Sequence, residues 1–150
     1  MSPEQVLQAV PQQSPFRFID RITELDDEHI VGGYTFKPDE FFYRGHFPGD
    51  PITPGVILIE TMAQTGVVAL GLHLTSRILP ADEVSQWTTV FTECEVEFFL
   101  PVPPGSTVTV HGEKLFFRRM KLKSRVRLLL SDGRTAAEGT LAGVGVKRGK

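Results

Sequence analysis

The 150 residues contain only one cysteine, Cys94, and one tryptophan, Trp87. A lone cysteine cannot close an internal disulfide, so no disulfide scaffold holds this chain, and the usage fits a reducing compartment. An excess of one charge is also missing: 16 Lys and Arg stand against 18 Asp and Glu, a net charge of −2. That balance gives no electrostatic footprint for nucleic acid or an anionic membrane as the main partner. Zinc-ligand spacing, a phosphate-cradling glycine loop and a nucleotide fingerprint are absent, so no metal or organic cofactor is implied. The opening residues MSPEQVLQAVPQQ lack the basic and apolar regions of a secretory signal, and a cytoplasmic location is expected. The apolar run from Val56 to Leu74 approaches membrane-spanning length but carries Glu60, Gln64, Thr65 and His73. Polar groups in hydrocarbon are expensive, so no membrane insertion is expected.

What is present reads as one domain, residues 1–150, with 41% hydrophobic and 23% charged residues. Ser2-Pro3 opens a short helix that stops before Pro11. Residues Phe16 to Ile22 read as a strand, and His29 to Lys37 alternates with period 2. A short helical turn or loop follows, ending at Tyr43. A single long helix is expected from Thr53, with Thr53 capping, Pro54 in the first turn and Gly71 starting the exit. It is apolar on nearly every face, so it should be buried all round. Residues 75–87 read as a surface connection, followed by strands over Thr88–Leu100, Thr107–Phe117, Lys121–Leu130 and Thr135–Val146. Asp132-Gly133 marks the turn between the last two, and Lys147 to Lys150 forms a basic tail. These elements make an α+β domain: an antiparallel sheet wrapped around one long apolar helix.

Function concentrates in residues 45–64, GHFPGDPITPGVILIETMAQ. His46 sits on a loop stiffened by Gly45, Pro48, Gly49 and Pro51, and Glu60 is a lone carboxylate inside the apolar run. A buried carboxyl costs several kcal/mol unless it is paired or protonated, and acid–base chemistry is one reason to keep it. His29, His73 and His111 have no such context and read as structural or solvated. Cys94 falls on a half-buried strand pattern and reads as interior filler.

The segment His-Phe-Pro-Gly, Pro-x-x-Pro-Gly-Val, Glu-x-x-Ala-Gln resembles the 3-hydroxyacyl-acyl-carrier-protein dehydratases, which have the hot-dog fold. The match runs from about Pro15 to Val146. The resemblance implies that His46 removes a proton from C2 of a thioester. It implies that Glu60, meeting His46 of the other subunit, protonates the departing hydroxyl. It gives the Gly55 N–H to the thioester carbonyl and Gln64 to orienting the acid or the hydroxyl. Acyl carrier protein bearing the substrate is the implied partner, and a homodimer, possibly grouped as a trimer of dimers, is the implied assembly. Phe41 and Phe42 are candidate gates of an acyl tunnel. Arg118, Arg119 and Lys121, within the basic run Arg118 to Arg127, are candidates for docking the acidic carrier.

The chain departs from the family at Gln12-Gln13-Ser14, where a His-Arg pair is usual, and at Glu97-Phe98-Phe99-Leu100, where basic residues are common. Those departures set the chain apart from the housekeeping branch and admit a specialised pathway (secondary-metabolite or unusual lipid) beside primary fatty acid synthesis. Two other readings stay open: a hot-dog thioesterase using Glu60 to direct water, and a non-catalytic acyl-binding subunit of a dehydratase heterodimer.

Overall fold

The computed structural model describes residues 1–149; Lys150, the last residue of the basic tail, lies outside the described residues. Helix α1, Pro3–Ala9, begins with a reciprocal cap: Gln5 N–H donates to Ser2 Oγ and Ser2 N–H to Gln5 Oε1. Six strands follow, β1 (Arg21–Leu25), β2 (His29–Thr35), β3 (Trp87–Phe98), β4 (Thr107–Arg118), β5 (Lys121–Leu129) and β6 (Thr135–Lys147). They form one antiparallel sheet in the order β1-β2-β4-β5-β6-β3. Helix α2, Gly55–Ser76, runs against the sheet, and the four-residue helix α3, Ala81–Val84, leads into β3. The long helix with two early and four late strands is the hot-dog arrangement expected from the sequence.

Helix α2 is long and apolar enough to cross a membrane, but 67% of its most apolar window is buried inside the fold. It lies very close to the sheet. A Cβ on Gly66 would stand 2.5 Å from Val126 Cγ2, and one on Gly112 of β4 would stand 3.0 Å from Gly66 Cα. The Ser124 hydroxyl of β5 donates to the Gly66 carbonyl at 2.7 Å. Around this contact, Gln64–Ala69 is wound as a π-helix. Such insertions are uncommon and often sit beside functional residues.

The sequence reading needs correction in four places. The first strand is Arg21–Leu25, not Phe16–Ile22, because Phe16 and Phe18 spend backbone groups on the Gln64 side chain instead of a sheet neighbour. Helix α2 begins at Gly55, and Thr53 does not cap it: its hydroxyl bonds Tyr43 instead. Gly71 does not end the helix, which continues to Ser76 and covers part of the expected connection. Cys94 is exposed rather than interior filler, because β3 is an edge strand with most residues of both faces open.

The contact at Gly66 sets the height of α2 above the sheet. Gly66→Ala is expected to destabilise the fold by about 1–3 kcal/mol through overpacking. Urea unfolding would measure this loss, and Val126→Ala in the same chain should recover part of it.

Candidate active site

His46 occupies the neck of a short loop between a 3-10 turn, Phe41–Arg44, and the start of α2. Two bonds to Ile52 close that neck. Ile52 N–H donates to the His46 carbonyl at 2.9 Å, and His46 Nδ1 stands 3.0 Å from the Ile52 carbonyl. A carbonyl oxygen can only accept, so Nδ1 carries a proton, and in the neutral imidazole the lone pair is on Nε2. The ring also stacks on Phe47 at 4.2 Å, and the peptide between these two residues is cis. Gly49, at φ 76°, takes the left-handed turn that lets the loop reverse. The contact with Ile52 fixes the ring's orientation and, in the neutral imidazole, its tautomer.

The first backbone bonds of α2 run from Ile57 and Leu58 to the Pro54 carbonyl. The N–H of Gly55 precedes them and has no helical acceptor, which leaves a donor at the positive end of the helix dipole. A cleft of ≈ 440 Å³ holds both groups, with Phe47, Leu58, Phe98 and Val102 among its walls. The Phe98 ring lies where a Cβ on Gly55 would meet it at 3.2 Å, so a side chain at position 55 would collide with this wall.

Glu60 is not among the residues lining that cleft. Five residues along an α-helix turn the side chain by about 140°, so Glu60 faces well away from Gly55. Gln64, fully buried, holds its carboxylate: Gln64 Nε2 donates to Glu60 Oε2 at 2.9 Å and to the Phe16 carbonyl at 2.9 Å. Gln64 Oε1 accepts the Phe18 N–H at 2.7 Å. Both amide protons are committed, so Gln64 orients the acid and has no donor left for a substrate hydroxyl. Burial pushes the Glu60 pKa above its ordinary 4.5, with the Gln64 bond pulling the other way.

The remaining candidates lie elsewhere. Phe41 is exposed and packs on Phe42 with ring centroids 5.2 Å apart, and neither lines the His46 cleft. Arg118 stacks over Phe116, and Arg119 occupies a positive-φ position in the β4–β5 turn. Lys121 is taken up by an ion pair with Glu93 of β3, which Lys123 also approaches at 3.3 Å. This turn registers through Val144 with Val90, eight residues from Phe98, so it lies roughly 26 Å from the cleft within one chain. A narrow, mainly apolar cavity of ≈ 20 Å³ lies farther along α2, between Val67, Gly71, Trp87 and Gly143. It has no titratable side chain in its walls and is not the reaction centre.

The Ile52 carbonyl and the Tyr43–Thr53 hydroxyl pair went unnoticed in the sequence. A main-chain acceptor leaves no side-chain signal. The hydroxyl pair could have been found as two bonding side chains flanking the histidine loop.

A family model described as FabA-like domain matches residues 10–143. A 3-hydroxyacyl-[acyl-carrier-protein] dehydratase FabZ of Acetivibrio thermocellus is 38% identical over 134 residues, covering 88% of this chain and 86% of that protein. The protein of the same name from Thermus thermophilus is 34% identical, covering 94% of each. Among solved structures, the dehydratase heterocomplex ApeI:P of Xenorhabdus doucetiae matches with a TM-score of 0.75 at 20% identity, over 97% of this chain and 91% of that one. A thioesterase of Haemophilus influenzae matches with a TM-score of 0.68 at 14% identity, over 98% and 92%. At such identities the structural matches speak for the fold alone.

A carboxyl whose pKa is raised in the folded state adds stability below its ordinary value and loses that contribution as pH rises through the folded value. Glu60→Gln stays neutral throughout. Chemical denaturation should therefore show it equal to the parent near roughly pH 4 and more stable at roughly pH 8. A constant difference across that window would mean that the carboxyl is not destabilised by burial.

Proposed function

As a member of the FabA-like domain family, this chain is, we propose, a dehydratase of (3R)-hydroxyacyl thioesters carried on acyl carrier protein, releasing the trans-2-enoyl product. The observation that carries this reading is the pair of prepared groups on opposite sides of one helix start. One is an imidazole anchored through Nδ1 beside an unpaired N–H in a cleft; the other is a carboxyl kept protonated more readily by burial. Elimination of water needs a base at C2, a donor at the thioester carbonyl and an acid at the C3 hydroxyl.

In this scheme the carbonyl binds at the Gly55 N–H, and charge developing on its oxygen faces the helix dipole. His46 Nε2 takes the C2 proton. Glu60 gives its proton to the C3 hydroxyl, the C–O bond breaks and water leaves. His46 then holds the extra proton and Glu60 the charge, and a proton passes back between them before the next turnover.

Within one chain Glu60 faces away from the His46 cleft, so the acid is supplied by a second copy. The outer margin of β3 offers the place for it. This 12-residue edge strand has no outer neighbour and exposes Val90, Phe91 and Phe98. Such an edge pairs readily with another strand, and twofold pairing buries the same patch on both partners. The same pairing is antiparallel, so it carries the Arg118–Arg119 turn of one copy toward the His46 end of the other. That turn is then placed to dock the acidic carrier, with Phe41 and Phe42 gating the acyl chain.

Two experiments test this. His46→Ala and Glu60→Gln homodimers should each lose nearly all dehydration, read by enoyl-thioester absorbance. Mixing the two variant chains at random should restore about a quarter of the parent rate, because half the dimers are mixed and each mixed dimer contains one intact site. No recovery on mixing would place base and acid on one chain. Second, replacing Arg118 and Arg119 with glutamate should raise KM for carrier-bound substrate and leave a small thioester mimic unaffected; equal effects on both would remove the docking role.

A further inference from the structure

The loop that carries His46 has two stems, the 3-10 turn before it and residues 53–54 leading into α2. Each stem buries one hydroxyl residue almost completely, Tyr43 at 4% and Thr53 at 4% exposure. Tyr43 Oη and Thr53 Oγ1 lie 2.7 Å apart and bond each other. No other side-chain partner for either hydroxyl is present among the described residues. Thr53 N–H also donates to the Val102 carbonyl at 3.0 Å, fixing that stem to the cleft wall. Thr53 directly follows Ile52, whose carbonyl sets the imidazole tautomer, and stands two residues before Gly55. Tyr43 reaches the loop from the other side, since the His46 N–H points to its carbonyl at 3.4 Å.

We propose that Tyr43 and Thr53 are positioning residues: their hydroxyl bond ties the two stems together and so fixes His46 relative to the donor at the start of α2. Thr53 also lines the His46 cleft, but its hydroxyl is spent on Tyr43, and Tyr43 does not line that cleft. This inference rests on the dehydratase reading for its kinetic consequence but not for its structural one. A base and a carbonyl donor must hold near-attack geometry, and misplacement by about 1 Å costs on the order of 100-fold in rate. Among the described residues the hydroxyl pair is the only side-chain to side-chain hydrogen bond between the stems, so losing it lets the imidazole leave the Ile52 carbonyl and sample the other tautomer. Burial holds the Tyr43 pKa above its ordinary value, so the pair stays neutral across the working pH range.

The test compares Tyr43→Phe, Thr53→Val, Thr53→Ser and the double Phe/Val variant. Each single apolar change strands the other hydroxyl in a dry site, whereas the double change leaves none unpaired. Tm should therefore fall in Tyr43→Phe and Thr53→Val and recover in the double variant. The kcat should fall by roughly 10-fold in both single variants and stay low in the double variant, with KM little changed. Thr53→Ser keeps the hydroxyl and should restore the rate. Nitrogen NMR of the His46 ring gives a readout that needs no turnover: the Nδ1-protonated form should dominate in the parent and mix with the other tautomer in the double variant. Recovery of kcat together with Tm in the double variant, or an unchanged tautomer, would overturn the proposal. An inactive parent with the tautomer shift still present would overturn the dehydratase reading and leave the positioning role standing.

Discussion

One buried amide joins the parts of this molecule that have to agree. Gln64 Nε2 donates to both the Phe16 carbonyl and the Glu60 carboxylate, and Gln64 Oε1 accepts the Phe18 N–H. The segment after α1 is thereby held on the central helix without being a strand, and the acid is held in one rotamer without a cation beside it. A buried polar group of this kind has to be fully satisfied, because each missing bond costs about 1–3 kcal/mol of uncompensated desolvation. Here every proton and the carbonyl oxygen of the amide have partners. The same residue opens the π-wound stretch of α2, where Gly66 and Gly112 bring helix and sheet together. Acid placement and helix packing are thus two consequences of one local geometry.

The base is fixed by an independent device. Its imidazole reads its tautomer from a main-chain carbonyl six residues away in the same loop, and no carboxylate assists it. That carbonyl fixes the ring's orientation and leaves Nε2 toward the cleft in the neutral tautomer. Burial favours the protonated form of Glu60. On the proposed reading, an oriented imidazole and a carboxyl that favours its acid form are what an elimination of water requires.

Much of this could be read in the chain before any coordinates. The four late strands followed from period-2 patterning and from Asp132-Gly133, whose glycine adopts φ 90°. The long helix followed from an apolar run with no polar face. The errors share a cause: they fall where a side chain satisfies the backbone, or a missing neighbour leaves it bare. Phe16–Ile19 has strand composition, but Gln64 takes its backbone bonds. Thr53 has the composition of a cap, but Tyr43 takes its hydroxyl. Cys94 sits in an alternating pattern that implies one buried face, but β3 is an edge strand whose residues are mostly exposed. The β4–β5 turn, at Arg119 and Met120 with φ of 52° and 62°, carries none of the usual turn residues. Only the break between the two strand patterns, after Phe117 and before Lys121, marked its place.

The exposed face of β3 and the separation of His46 from Glu60 are best understood together. A single copy leaves apolar side chains open along an unpaired strand, and it also leaves an acid with no base in front of it. Either fact alone has an ordinary explanation: edge strands expose side chains, and half-buried glutamates occur. Jointly they are economical, because one twofold operation about the β3 margin would cover the apolar surface and bring each acid to the other copy's cleft. The stability of the assembly and the completeness of the site then depend on the same interface. On the proposed reading, a single copy would be inactive even with every one of its own bonds intact.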